Sequence, residues 1–593
     1  MNAKVLLLLV LAPYIAVAVV PIAVSVDLNA NVHPFSPMIF GVALLHDFNT
    51  NTSSCNLQAG YTVCRWGGNS TTRYNWEVDV HNTANDYYYE NIPDCTAPTC
   101  TGTPPIGNSA DTFISGAFTG SAQPLLTIPT IGWTPRSDSP RSHPYFAGFS
   151  VTRYGVQEPT PYGSPAVDPF DTDAGSGECL PANNPSPKCV LYDAANGRYH
   201  LVNNDPLDTS MLSTPSFEAQ WIAHLQSTFG TAANGGVKLY ALDNEIMLWN
   251  STHRDVRPQT QPLTYDDAWT KTHDYATAIK TQEPDALVTG PVTWGYCDLF
   301  GSAADNCLDG TDRAAHSGLP FVAWYLQQVC ANPLAGGAHL VDYLDLHYYP
   351  QGNNVALSNA DDATTAGLRL RSLKELYDPT WRSESWIGGV DGPGGDDPLH
   401  YPMPNLIPRV RAWINQYCPG TKLAITEYNW GNDGTTSGAV AQAEALAIFA
   451  REGVNLATRW VAPAANSLAE RSFQIFLNYD GAGSKVRGDS VSATSASVDQ
   501  IGAYAFRQYG QRSMILLTNK DTVTHAVALT FNAAQNGMWK LYGFTGASPL
   551  AQTGSGTINS ANLTLPALPA MSANLLVLAD SDGIFKDGFE PRP

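Results

Sequence analysis

Eight short, nearly uninterrupted apolar runs recur between residues 39 and 463, most followed by a loop or a stretch of helical spacing. They are Ile39–Leu45, Tyr61–Trp66, Pro124–Trp133, Lys238–Asn244, Ala286–Trp294, Tyr343–Tyr349, Lys422–Tyr428 and Ala457–Ala462. A run that is apolar on both faces suits a parallel strand buried between two layers. Between the runs, Ser216–Phe229, Tyr265–Gln282, Pro320–Cys330 and Leu406–Cys418 carry apolar residues at helical spacing. Thr264 reads as the N-cap of the second of these helices and Pro284 as its stop. Eight strands alternating with helices predict an α/β fold, a TIM-like (β/α)8 barrel over residues 36–469.

The chain has 593 residues, more than the roughly 250–300 that one core can serve, so a second unit is expected. Past residue 470 the pattern changes to short strands separated by turns: Phe473–Tyr479, Ser513–Asn519, His525–Phe531, Met538–Phe544 and Leu575–Leu578. These predict an all-β sandwich domain over 470–580. Ile22–Leu28 is strand-like too, and the segment 22–35 is expected to join that sheet. Two insertions rich in Pro, Gly, Asp and Asn interrupt the barrel, Arg136–Thr214 and Gln351–Asn405. Both leave from carboxyl ends of strands, where barrels build their sites, so both are candidate walls or lids of a cleft.

Residues 1–18 have the form of a secretory signal, with Lys4, the apolar stretch Val5–Val17 broken by Pro13, and the cleavage-like Ala16-Val17-Ala18. A membrane anchor is the alternative. No other run approaches the ~20 apolar residues that a spanning helix needs, so a soluble, secreted protein, extracellular or periplasmic, is expected. The last segment, 581–593, reads as a tail, and its "DGIFKDGFEPRP" resembles short C-terminal tails of some exported bacterial proteins. The formal net charge of -21, without basic runs, argues against nucleic acid and anionic membrane surfaces as partners. It does not argue against a neutral ligand.

Ten cysteines, even in number and locally clustered, suggest disulfides in an oxidising compartment. The expected pairs are Cys55 with Cys64, Cys95 with Cys100, Cys179 with Cys189, and Cys297 with Cys307. Cys330 and Cys418 remain, each at the end of a helix that precedes one of two consecutive barrel strands, and are expected to join. The spacings lack the C-x-x-C pairs and Cys/His clusters of zinc sites. Asp391–Asp397 could hold calcium but reads as a solvated acidic loop, so neither metal nor cofactor is expected. Nucleophile-elbow, P-loop, H-E-x-x-H and EF-hand patterns are missing as well. A monomer is expected.

Two strand ends carry acids that are costly to bury unless they are paired or used. The fourth run ends in "LYALDNE", with Glu245 after Asn244, and the seventh in "KLAITE", with Glu427. Strands four and seven lie nearly opposite across a barrel of eight, so the two carboxylates can face each other over a central cleft. A facing pair is what glycoside hydrolysis requires, and a gap of about 5–5.5 Å would mean retention through a covalent intermediate. Arg65 ends the second strand with Asn69 just after it, and His347 and Tyr348 lie on the sixth, so all fall at the same face. An Arg or Tyr beside the nucleophile would keep it ionised. Trp66, Trp76, Trp133, Trp249, Trp294, Tyr349, Trp386 and Trp430 cluster at or just past strand ends. Such rings suit the C–H faces of sugars, though core packing is the other use for some of them.

The segments "RWGGNSTTRYNW", "YALDNEIMLWNSTHRDVRP", "TGPVTWGY", "YLDLHYYP", "DPTWRSESWIG", "PGTKLAITEYNWG" and "NYDGAGS" occur in this order and together resemble glycoside hydrolase family 44 over roughly residues 24–580. That resemblance implies a TIM-like barrel plus a β-sandwich and cleavage with retention. It also implies Glu245 of the "DNE" motif as general acid/base and Glu427 of the "TE" motif as nucleophile. The family contains endoglucanases and xyloglucanases. The expectation is a secreted retaining endo-β-1,4-glucanase acting on cellulose-type glucans and xyloglucan, with Asn244, Arg65, Trp66, Asn69, Trp133, Trp249, Trp294, His347, Tyr348, Tyr349 and Trp430 as binding residues. Xylan or mannan as substrate, or a non-catalytic glycan-binding role, are the alternatives. Two departures bear on substrate preference: Ala43 where Asn is expected, and the long 136–214 insertion with Cys179 and Cys189.

Overall fold

The computed structural model describes residues 20–44, 60–95, 100–184, 188–194, 196–306, 309–389 and 401–579. The leader at 1–18, the Asp391–Asp397 loop, the tail at 581–593, Cys55 and Cys307 lie outside the described residues. Eight parallel strands close into a barrel in sequence order: Gly41–Leu44, Val63–Trp66, Gln123–Ile128, Leu239–Leu242, Leu287–Thr293, Tyr343–Tyr348, Lys422–Tyr428 and Leu456–Trp460. The eighth returns to the first, with Thr458, Arg459 and Trp460 opposite Gly41, Val42 and Ala43. Inward residues fill the barrel floor, among them Val63, Leu125, Leu239, Val292, Tyr343, Ala424 and Leu456. A larger apolar shell lies between strands and helices.

Local signals account for the helices. Thr264 caps Tyr265–Gln282, its hydroxyl accepting from the Asp267 N–H, and Thr214 caps Pro215–Phe229 in the same way with proline at the start. Three expectations need correction. His525–Phe531 and Met538–Phe544 are not separate strands but merge in the single strand Val527–Thr545. Phe473–Tyr479 is not a strand: Leu468–Leu477 is a helix that packs on the preceding helix Thr436–Glu452. The reason is upstream, where Ser467 accepts from the Glu470 N–H and Glu470 accepts from the Asn466 N–H. Ser467 thus caps the helix and Glu470 reaches back to the residue before the cap, and these start signals outweigh a short apolar run. Trp133 does not lie on the third strand, which stops at Ile128. Trp133–Pro135 pairs instead with Ser210–Leu212 at the two ends of the long insertion.

The second unit is an eight-stranded sheet. Ile22–Asp27 pairs antiparallel with Asp489–Ser495 and parallel with Val527–Phe531. The long strand Val527–Thr545 continues past that pairing to run beside Ser572–Ala579, so the sheet folds back round an interior of Val24, Ile501, Ile515, Leu529 and Leu576. Its outer face joins the barrel's apolar shell through Tyr504, Phe506, Met514, Leu516, Leu575 and Val577.

Cys95–Cys100, Cys179–Cys189 and Cys330–Cys418 are disulfides, and Cys64 and Cys297 are disulfide-bonded as well. The Cys330–Cys418 bond links positions 88 residues apart, so it removes substantial chain entropy from the unfolded state. Replacing both cysteines by serine is expected to destabilise the fold by about 2–4 kcal/mol, measured by denaturant unfolding. An unchanged unfolding midpoint would count against that role.

Candidate active site

The site is built at the carboxyl ends of the barrel strands. The chain leaves the fourth strand with Asp243 and Glu245 both in the left-handed region, at φ 70° and φ 45°. Such backbone costs roughly 1–3 kcal/mol per residue and persists only where surroundings hold it. Here the Asp243 carboxylate accepts from the Thr130 N–H at 2.5 Å, the Ile131 N–H at 3.0 Å and the Asn244 N–H at 2.8 Å, which pins the turn. Glu245 therefore projects inward and not along the strand.

Glu427 projects from the seventh strand, beside His347 of the sixth. Its Oε1 accepts from Arg65 Nη1 at 2.6 Å and its Oε2 from the Tyr349 hydroxyl at 2.8 Å. Two charged or polar donors on one carboxylate suit an anion. Arg65 Nη2 also donates to Asn244 Oδ1 at 2.7 Å, so one guanidinium ties both strand ends together. Two glycines make this possible. A Cβ on Gly67 would lie 2.3 Å from the Arg65 guanidinium carbon, and one on Gly68, at φ +103°, would lie 2.8 Å from the Trp460 ring.

His347 Nδ1 lies 2.9 Å from Glu245 Oε1 and 3.5 Å from Glu427 Oε2. Carboxylate oxygens of Glu245 and Glu427 lie within 4.8 Å of each other. Burial, then the Glu427 charge, push the Glu245 carboxyl well above the usual carboxylate range. Asp298 and Asp86 add to the effect and Arg65 opposes it. Burial and then the Arg65 charge push the His347 imidazole well below its usual range, so it stands neutral between the acids. The arrangement joins one carboxyl that holds its proton to one carboxylate held by donors, across a gap small enough for one reacting carbon. That is the equipment for general acid catalysis paired with nucleophilic attack.

The expected residues divide into groups. Arg65, His347 and Tyr349 meet Glu245 or Glu427 directly, Asn244 is joined to Glu427 through Arg65, and Asn69 is joined one step further out through Asn244. Trp133 and Trp294 are half-buried. Trp249, Trp430 and Tyr348 are each only 1% exposed, a correction to their expectation as binding residues; Trp249 and Trp430 take the core-packing use instead. The Trp430 indole donates to Ser372 and the Tyr348 hydroxyl to Glu375, both inside the fold. Trp66 is buried edge-on against Tyr74 and Phe113. Trp460, half-buried over Gly68, is absent from the expected set, although its place at the end of the eighth strand is the signal that marks Arg65 and Glu427. Asp298 is also missing from that set; it is buried, and its Oδ2 accepts from the Trp294 N–H.

Among the described residues, three groups bring metal-ligating atoms within 4.8 Å of one another. Cys330, His339 and Cys418 form one, but its sulfurs are joined in a disulfide. Glu245, His347 and Glu427 form another. Glu90, His143 and Asp171 form the third, and their oxygens and imidazole could hold a hard cation.

The family model described as Glycoside hydrolase family 44 matches residues 80–352. A crystal structure of CelM2, a bifunctional glucanase-xylanase protein from a metagenome library, is 32% identical. That comparison covers 95% of this chain and 99% of the other, with a TM-score of 0.81. A Beta-mannanase/endoglucanase A of Caldicellulosiruptor saccharolyticus is 28% identical over 89% of this chain. An Endoglucanase A of Paenibacillus lautus is 29% identical over 60% of this chain. The matches span 36% and 51% of the length of those two curated relatives.

Proposed function

The chain belongs to glycoside hydrolase family 44, and on that premise we propose that it is a secreted, retaining endo-β-1,4-glucanase that cleaves cellulose-type glucans and xyloglucan. The observation that carries the reading is the pairing of Glu245 and Glu427, with carboxylate oxygens within 4.8 Å. That limit on the nearest oxygens is compatible with the ~5–5.5 Å gap of double displacement and supports the retaining reading. In the first step Glu427 attacks the anomeric carbon while Glu245 gives its proton to the departing oxygen. In the second, Glu245, now a carboxylate, takes a proton from water, which displaces Glu427 from the sugar. Arg65 and Tyr349 orient the nucleophile and receive back its charge when the covalent bond breaks. The raised Glu245 carboxyl suits a group that must carry a proton near neutral pH and lose it in each cycle.

Proton NMR of the first products from a cello-oligosaccharide is expected to give the β-anomer, with the α-anomer appearing only as mutarotation proceeds. An initial α-anomer would rule out retention.

A second reading keeps the mechanism and moves the substrate to xylan or mannan. Two relatives named as a glucanase-xylanase and a mannanase/endoglucanase favour testing it. Reducing-sugar release from a panel of soluble cellulose derivative, xyloglucan, xylan and mannan separates the two readings. Release from none of the four would favour a glycan-binding role.

A further inference from the structure

Asn69 links the catalytic pair to a carboxylate outside it. Arg65 Nη2 donates to Asn244 Oδ1 at 2.7 Å, Asn244 Nδ2 donates to Asn69 Oδ1 at 3.2 Å, and Asn69 Nδ2 donates to Asp86 Oδ2 at 3.1 Å and Oδ1 at 3.3 Å. Every donor in this chain points the same way, from the guanidinium that holds Glu427 toward Asp86. Each bond therefore polarises the next, and Asp86 is the terminal acceptor.

Asp86 sits on the short turn Ala84–Asp86, which packs against the helix Trp249–Thr252 just after Glu245 and against the turn Asn69–Arg73. The residue is exposed, yet surrounding protein desolvates its carboxylate and raises it above the usual range, with Asn69 opposing. Its place between those two elements, one carrying Asn69 and the other following Glu245, sets it beside the acid/base residue. An ionised carboxylate offers about four lone-pair positions, and among the described residues only Asn69 donates to this one. The remaining positions are open to donors from a ligand, and its charge is close enough to act on Glu245.

We propose that Asp86 binds sugar hydroxyls in the cleft beside the acid/base residue, and through Asn69 holds Asn244 in register with Arg65. The proposal rests on the glycosidase reading above. A carboxylate that accepts from two neighbouring hydroxyls, next to an amide that can also donate, fits the vicinal diol of an equatorial pyranose and rejects a ring lacking either hydroxyl. Asp86 thereby helps set which sugar the cleft accepts, and its charge keeps the proton on Glu245. The groups facing Glu245 are then Glu427, Arg65, His347, Tyr349, Asp298 and Asp86.

The test compares the full-length enzyme with Asp86→Ala and Asp86→Asn, using cello-oligosaccharides of defined length. Asp86→Ala is expected to raise KM roughly 10- to 100-fold, the range for a lost hydrogen bond to a charged group, with a smaller change in kcat. Asp86→Asn keeps an acceptor for Asn69 but removes the charge. It is expected to move the alkaline limb of the kcat/KM profile to lower pH, because Glu245 then loses its proton more easily. A merely structural role would shift the melting temperature and leave both readouts where they were. Should Asp86→Ala fail to fold, the pH profile of Asp86→Asn decides alone. A folded Asp86→Ala with KM within twofold of the parent, or an unmoved alkaline limb in Asp86→Asn, overturns the proposal. A parent enzyme that turns over none of these oligosaccharides overturns the glycosidase reading instead.

Discussion

Glu427→Gly is expected to lose roughly four orders of magnitude or more in kcat on polysaccharide, and azide is expected to restore part of it. The loss is large because a carboxylate oxygen of Glu427 is the atom that bonds to the sugar, and Arg65 Nη1 and the Tyr349 hydroxyl are aimed at that carboxylate. Azide is small and anionic, so it fits the space the carboxylate leaves and the donors around it. Attack from that face yields an α-glycosyl azide. Glu245→Ala is expected to behave differently. An activated aryl cello-oligoside needs no proton to depart, so its first step survives and the covalent intermediate accumulates until azide intercepts it as the β-glycosyl azide. The two products, distinguished by NMR, assign the roles independently of rate. Interchanged anomers, or equal and complete loss by both variants on the activated substrate, would overturn the assignment of Glu245 as acid and Glu427 as nucleophile.

A chain ending at Gly488, which lacks most of the second sheet, is expected to be inactive, or to melt roughly 10 °C or more below the parent. The helices Thr436–Glu452 and Leu468–Leu477 close the barrel on that side, and their apolar residues share one core with Tyr504, Phe506, Met514, Leu516, Leu575 and Val577. Removing the sheet exposes that face to water at about 25 cal/mol per Å2 of apolar surface. The contact also has a polar centre. Glu444, 1% exposed, accepts from the Tyr504 hydroxyl, the Thr518 hydroxyl and the Lys520 ammonium, each at 2.9 Å. Glu444→Ala leaves Lys520 buried without its anion and is expected to cost about 3–5 kcal/mol, while the active site, with which Glu444 shares no hydrogen bond among the described residues, keeps its kcat. Calorimetry of both variants checks this. A truncated chain with the parent's activity and melting temperature would show that the sheet is dispensable, and a silent Glu444→Ala would show that the ion pair does not hold it.

The residues that were legible in the sequence share one property: their signals are local. A barrel strand buried on both faces is an apolar run, and eight such runs in order specify the strand order whatever the loops do. A strand end is where its run stops, so acids there stand out, as Glu427 does. Helix starts are read from one side chain and a backbone N–H three residues on, which is why Thr264 marks its helix. The strand expected at Phe473–Tyr479 went the other way because a short apolar run has no period of its own, and the capping signal at Ser467 and Glu470 lies outside it. The burial of Trp249 and Trp430 is not in their identity, since an aromatic ring past a strand end serves a core as well as a cleft.

From its sequence alone this protein is a barrel with two opposed glutamates, because periodicity and strand ends are properties of neighbouring residues. Only the tertiary structure decided which polar groups those glutamates meet. Arg65 reaches Glu427 across 362 residues of chain, and Asn244 reaches Asn69 across 175. Asp86 belongs to the site through Asn69 and not through any motif of its own. Contacts of that reach depend on how loops of different lengths return over one barrel mouth, and no stretch of sequence carries that information by itself.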